Sequence, residues 1–246
     1  MLDIPRIRAI SFDLDDTLWP VLPTLARAEA AQHAFLLQHA PATAAWLQDP
    51  DNARRLRERL RVDLAHRLHD MTHFRQQFIA RALEQTGGDA ALMPPAFEAF
   101  HAGRNQVDMF DEVHDCLAWL QARYPLVAIS NGNARLDRVG LDGYFSAGIS
   151  AHLAGMAKPD ARIFEMAAQQ LELPLSAFLH VGDDAALDVE GALAAGMQAA
   201  WVQRRELDYH RQPAEGAAPP WHLPSPAPQA VVATLHDLCA LLGRDF

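Results

Sequence analysis

Cysteine is scarce in this sequence, with Cys116 and Cys239 the two examples in 246 residues. A pair so far apart makes neither a disulfide framework nor a zinc site. Both lie in apolar helical stretches and are expected buried and reduced. Basic charge is short as well: the formal net charge is −10, which argues against a protein that grips nucleic-acid phosphates. The run ARRLRERLRVDLAHR (53–67) is a local exception, but its Arg and Glu residues recur at helical spacing and read as a solvated helix face. No basic stretch leading into an apolar core opens the chain, and no apolar run approaches the roughly 18 residues of a membrane span. The twelve histidines are scattered without a ligand-like grouping, which disfavours zinc. These absences lead us to expect a cytoplasmic protein, monomeric or a small homo-oligomer, without nucleic-acid or membrane partners.

Apolar material, by contrast, makes up half of the chain, ample for a sizeable core. Short apolar runs ending in polar or small residues occur at 8–14, 126–130, 147–150, 178–182 and 198–202. Their length and flanks suit strands buried on both faces of a parallel sheet. Helical patterns at 112–124, 161–173 and 188–197 separate the later runs, which implies βαβ units and a doubly wound, Rossmann-like α/β sheet. Between the first and second strands lie some ninety residues that read as about four helices. A loop of that length inside a compact domain would be unusual, so we expect an inserted helical domain. The expected division is a core of 1–19 and 106–246 and a helical insert of 20–105. The proline-rich stretch 213–229 is expected to be extended at the surface, ahead of a last amphipathic helix.

In an open parallel sheet, ligands sit at the carboxyl ends of the strands. The segment ISFDLDDTLWP (10–20) delivers Asp13, Asp15 and Asp16 there. The second strand ends in Ser130-Asn131-Gly132-Asn133, GMAKPDARIF brings Lys158 before a helix, and the fourth strand ends in Gly182-Asp183-Asp184 with Asp188 following. Singly, each has an ordinary use as a turn, cap or surface residue. Capping does not require acid, hydroxyl, amine and acid at successive strand ends. Crowded carboxylates need a cation, and an all-oxygen set of Asp13, Asp183 and a backbone carbonyl suits Mg²⁺. With that ion and a lysine on a phosphate, one carboxylate can attack phosphorus while the second, two residues on, moves the proton.

Taken in order, DLDDT, SN, KP and GDDAALD resemble the haloacid dehalogenase-like (HAD) hydrolases, over essentially the whole chain, with the helical insert placed as a cap of the first type. The resemblance implies a strand order 5-4-1-2-3, Asp13 as nucleophile and Asp15 as general acid/base. It implies phosphate contacts from Thr17, Ser130 and Asn131, and Lys158 offsetting charge. The implied metal set is Mg²⁺ on Asp13, Asp183 and the Asp15 backbone carbonyl, with Asp188 orienting the site from behind. Asp16 and Asp184 fall at variable positions and are read as turn residues. The family's dehalogenases lack an aspartate two residues after the nucleophile, so Asp15 points to phosphate transfer. A phosphonatase would need a cap lysine, and 20–105 has none. Receiver domains of signalling systems share clustered acids and a lysine but are about half this length, and a flavin or nucleotide binder has no use for both Asp13 and Asp15. A phosphomutase, or a phosphatase acting broadly on sugar phosphates and nucleotides, remains as an alternative. PLVAISNGNA, LHVGDD, GMQAAWV and HDMTHFR are similar to the bacterial subgroup acting on flavin mononucleotide (FMN) and 5-amino-6-(5-phospho-D-ribitylamino)uracil, a small phosphate ester of riboflavin synthesis. His69, Arg75 and Arg104 are candidate substrate contacts from the insert, and Trp19, Trp46 and Phe74 are candidates for an aromatic cleft.

Overall fold

The computed structural model describes residues 1–204, 207 and 223–245. The chain divides into two compact units: Met1–Pro20, Asp108–Gly132 and Gly140–Phe246 in one, Val21–Val107 and Asn133–Val139 in the other.

The first unit is built on a parallel sheet. β1 (Ala9–Phe12), β2 (Leu126–Ser130), β3 (Ala147–Ser150), β4 (Phe178–Gly182), β5 (Gln198–Val202) and β6 (Ala230–Val232) stand in the order β3-β2-β1-β4-β5-β6. The expected five-strand order is present, with β6 added outside β5. That strand escapes sequence reading because three residues after a proline-rich stretch carry no measurable alternation. Of the stretch expected to be extended, 213–222 lies outside the described residues, while 223–229 leads into β6 without helix or strand. β1, β2 and β4 are buried along their whole length, as near-continuous apolar strands between helical layers must be. The helices of this unit are α6 (Val113–Gln121), α7 (Ala151–Ala154), α8 (Ala161–Leu171), α9 (Gly191–Ala195) and α10 (Leu235–Leu241). Phe164 and Ala167 of α8 and Ala192 of α9 pack on Val127, Ile129, Phe178 and Trp201 of the sheet. The helix expected over 188–197 instead begins as a π-helical turn, Ala185–Glu190, and becomes α9 only at Gly191. Asp184 starts that turn by accepting from the Ala186 and Leu187 amides, both at 2.8 Å.

The second unit holds α1 (Val21–His39), α2 (Pro41–Gln48), α3 (Pro50–Asp63), α4 (Met71–Thr86) and α5 (Met93–Arg104). There are five helices where about four were expected. Pro41 and Pro50 each occupy a first helical position, where a missing N–H costs nothing, and α2, opened by Pro41, is the added helix. α1 and α5 approach closely at Gly103, where a Cβ would lie 2.8 Å from the Ala28 Cα. α3 is the solvated helix anticipated, with Arg54 paired to Asp51 (2.9 Å) and Glu58 (3.1 Å). Trp46 and Phe74, both half-buried, pack against Leu56, Leu60 and Phe78 and so contribute to the helical core. Asn133–Val139 joins this unit through polar contacts, among them three from its backbone and side chains. The Asn133 carbonyl lies 2.9 Å from His101 Nε2, the Arg135 amide donates to Asn105 Oδ1 (2.8 Å), and Arg138 pairs with Glu98 (2.7 Å). Nothing in the sequence pattern marks that return. Cys116 and Cys239 are free thiols, both buried. Among the described residues, no helix is long and apolar enough to cross a membrane.

Candidate active site

β1 stops at Phe12, level with Val181 on β4 and Ala128 on β2. The Asp13 amide extends the ladder by one bond, to the Val181 carbonyl at 2.9 Å. Asp13 therefore leaves the sheet from its central strand, flanked by the carboxyl ends of β2 and β4. Asn131, just past β2, grips the Lys158 backbone twice: its Nδ2 donates to the Lys158 carbonyl (3.0 Å) and its Oδ1 accepts the Lys158 amide (2.9 Å). So held, Lys158 donates from Nζ to Asp13 Oδ1 and, at 2.6 Å, to Asp188 Oδ1. Lys158 is also the one lysine in the chain.

Asp188 is the hub behind this pair. Its Oδ1 also receives His180 Nε2 (3.2 Å), and its Oδ2 accepts the Asp184 amide (3.0 Å). His180 Nδ1 lies 2.8 Å from Ser11 Oγ. Donation from Nε2 leaves Nδ1 to accept the serine hydroxyl, which fixes the neutral tautomer. The π-helical turn brings the Asp188 carboxyl against Gly182, where a Cβ would fall 2.3 Å from Asp188 Cγ. Only glycine fits. Carboxylate oxygens of Asp13, Asp183 and Asp188 lie within 4.8 Å of one another. Asp183 accepts from Thr17 Oγ1 at 3.1 Å, and its carbonyl accepts from Trp201 Nε1 at 2.7 Å.

Burial dominates the electrostatics. It pushes the Asp13 carboxyl up to about 8, with the Lys158 ammonium pulling the other way. It also raises Asp183 well above the usual carboxylate range, reinforced by the charges of Asp13 and Asp188. Asp188 is held below that range despite its burial, because Lys158 and His180 favour its ionised form. Burial opposes the Lys158 charge, yet Asp13 and Asp188 outweigh it and raise the ammonium. His180 is lowered by burial and stays neutral. The repulsion left on Asp13 and Asp183 fits an all-oxygen cation site. Both Asp188 oxygens are occupied by donors, which suits holding Lys158 better than ligating a metal.

The Thr17 hydroxyl, expected at the phosphate, donates to Asp183, and the side-chain amide of Asn131, also expected there, holds the Lys158 backbone. Ser130 Oγ accepts the Gly132 amide at 3.0 Å. Asp15 accepts from Trp19 Nε1 at 2.9 Å, and Trp19 is buried, so its ring lines no cleft. Asp16 takes a positive φ of 57° as a turn residue. In the helical unit, the Arg75 guanidinium lies 4.0 Å from the Phe100 ring centroid and pairs with Glu29 at 3.4 Å. Arg104 is buried on α5, and His69 sits in the turn before α4. Ser11, His180 and Trp19 went unrecognised as polar partners of the site. A histidine inside the apolar run FLHVG was the available signal, since a buried imidazole needs a partner.

The haloacid dehalogenase-like hydrolase profile matches residues 7–196, and a second, HAD-hydrolase-like profile matches 155–238. The chain belongs to the haloacid dehalogenase-like hydrolases. Within the family it is similar to the 5-amino-6-(5-phospho-D-ribitylamino)uracil phosphatase YigB of Escherichia coli K12, 36% identical over 82% of this chain and 86% of the relative. It is also similar to the (S)-2-haloacid dehalogenase of Pseudomonas sp. YL, 28% identical over 89% of this chain and 91% of that one. A crystal structure of a 2-haloacid dehalogenase from Pseudomonas syringae pv. Tomato DC3000 superposes with a TM-score of 0.82 at 33% identity, covering 97% of this chain and 99% of the other. With a phosphatase relative matched over most of its length and a second aspartate following Asp13, this HAD hydrolase is a phosphoric monoester hydrolase.

Proposed function

We propose that the protein is a Mg²⁺-dependent phosphatase that cleaves a small phosphomonoester through an aspartyl-phosphate on Asp13. The observation that carries the reading is the set at the strand ends: buried Asp13 held by Lys158, half-buried Asp183 beside it and Asp15 two residues on. Asp13 and Asp183 would hold the metal with the Asp15 carbonyl, and the bound ion would offset the charge gathering on the phosphoryl oxygens. An Asp13 oxygen bonds to phosphorus as the ester bond breaks, and Asp15 gives its proton to the leaving oxygen. Water then attacks phosphorus, Asp15 takes back a proton, and the bond to Asp13 breaks to release phosphate. Lys158 holds the nucleophile in place and offsets its charge. The helical unit serves as the cap that reads the leaving group.

For substrate we favour 5-amino-6-(5-phospho-D-ribitylamino)uracil, on the similarity to YigB, or FMN, on the resemblance carried by PLVAISNGNA, LHVGDD, GMQAAWV and HDMTHFR. The likeness to haloacid dehalogenases supports a second reading, but a departing halide needs no proton and would leave Asp15 idle. The test is turnover with Mg²⁺ of sugar phosphates, nucleotides, FMN, the ribitylamino-uracil phosphate and (S)-2-chloropropionate. We expect phosphate release, highest in kcat/KM for the two riboflavin-related esters. Halide release without phosphate release overturns the phosphatase reading. FMN and the ribitylamino-uracil phosphate ranking among the poorest esters removes the substrate assignment alone. Asp13→Asn should give a folded protein with no turnover, and residual turnover near wild type would remove Asp13 as the nucleophile.

A further inference from the structure

The turn after Asp13 closes on itself. Asp16 adopts a left-handed backbone and donates its amide to the Trp19 carbonyl at 2.7 Å. The Leu18 amide donates to the Leu14 carbonyl at 2.8 Å, and Asp15 forms an isolated bridge with Trp19. This backbone fixes the indole of Trp19, 0% exposed, so that Nε1 lies 2.9 Å from Asp15 Oδ1. As filler for an apolar space, phenylalanine would serve; the distinguishing group is the N–H. An indole N–H only donates, so Oδ1 must accept, and any proton that Asp15 carries sits on Oδ2.

We propose that Trp19 is the positioning residue for Asp15, holding Oδ1 as an acceptor so that Oδ2 is the oxygen that passes the proton. The inference rests on Asp15 being the proton donor and acceptor of the proposed phosphatase. Oδ2 loses its proton to the leaving oxygen as that oxygen parts from phosphorus, and it regains one from the water that attacks the aspartyl-phosphate. Half a turn about Cβ–Cγ would set O–H against N–H, two donors facing each other. The bond to Trp19 opposes that turn, and its removal opens the unproductive orientation to the carboxyl.

The experiment compares two substrates that differ in their need for a proton: an alkyl phosphate, whose alkoxide must be protonated to leave, and dinitrophenyl phosphate, whose phenolate departs unaided. The readout is kcat/KM with Mg²⁺, which reports steps up to release of the leaving group. Trp19→Phe should lose about tenfold or more on the alkyl ester and at most a few-fold on the aryl ester. A structural defect would lower both alike. Asp15→Asn, measured beside it, separates the inference from the reading beneath it. If Asp15→Asn lowers both substrates equally, Asp15 is not the proton donor and both are overturned. If Asp15→Asn splits the substrates and Trp19→Phe does not, the positioning role alone is overturned. Should Trp19→Phe fail to fold, benzothienylalanine at position 19 keeps the bicyclic shape and replaces the N–H by sulfur. The same split is expected of it, and its absence overturns the proposal.

Discussion

Lys158 occupies a slot 4% exposed, between two carboxylates. A compact ammonium fits there, whereas a planar guanidinium is wider and carries its charge over a fork. Lys158→Arg should therefore keep the fold and lose at least about a hundredfold in kcat; near-normal turnover would show that charge suffices without shape. Titration offers a second check. Burial lifts Asp13 from its ordinary 3.8 to about 8 and raises Asp183 as well. The folded protein thus keeps protons that the unfolded chain gives up. Their stabilisation is complete below about 3.8 and is lost as pH rises toward 8. A divalent cation on these carboxylates replaces the protons, so Mg²⁺ should raise Tm more near pH 8 than near pH 5. His180, held neutral, contributes the opposite slope below its ordinary value, but equally with and without Mg²⁺. A Mg²⁺ effect independent of pH would remove Asp13 and Asp183 as its ligands. The acids and the lysine were legible in the sequence because strand ends expose them whatever the rest of the fold does. Their supporters were not. Ser11 meets His180 across 169 positions and Asn131 meets Lys158 across 27, and no local pattern encodes such pairs.

Elements followed the same logic, with short apolar runs marking the first five strands and helical periodicity the long helices. It was blind to β6, which is three residues long, and to the prolines that open α2 and α3, since a proline at a first helical position looks like a break until the next turn is seen. The start of α4 is a clearer case. Asp70 caps it by accepting the His73 amide at 2.8 Å, while both Nε (3.1 Å) and Nη2 (2.9 Å) of Arg67 donate to its other oxygen. Asp70→Ala should lower stability by about 1–2 kcal/mol, seen as a drop of a few degrees in Tm. An unchanged Tm would mean that water satisfies that helix end as well. Arg75, one turn along the same helix, is engaged by Glu29 and Phe100, which gives it a packing role within the helical unit.

The whole molecule is a sheet unit whose chain leaves for the helices at Pro20 and returns at Asp108. The excursion was legible from its length and helical pattern; the second one, Asn133–Val139, was not, because seven residues without helix or strand carry no pattern to read. The sheet unit closes behind the first excursion. The Phe110 amide donates to the Leu18 carbonyl at 3.1 Å, and Arg204 spans from the Thr17 carbonyl (2.6 Å) to Glu112. Exit and return are thus stitched together inside the unit that carries the acids. Mg²⁺ should accordingly slow amide hydrogen exchange around 10–18 and 179–190 and leave α2, α3 and α4 unchanged. Equal protection throughout would place the cation elsewhere. One further consequence follows from the lysine count. Of 21 lysine and arginine residues, Lys158 is the single lysine, and it touches both Asp13 and Asp188. Protein grown on ¹⁵N-lysine therefore carries one side-chain label, and that label lies against the proposed nucleophile. One resonance, free of overlap and needing no mutation, can report each arrival at the site: proton, cation or phosphoryl group.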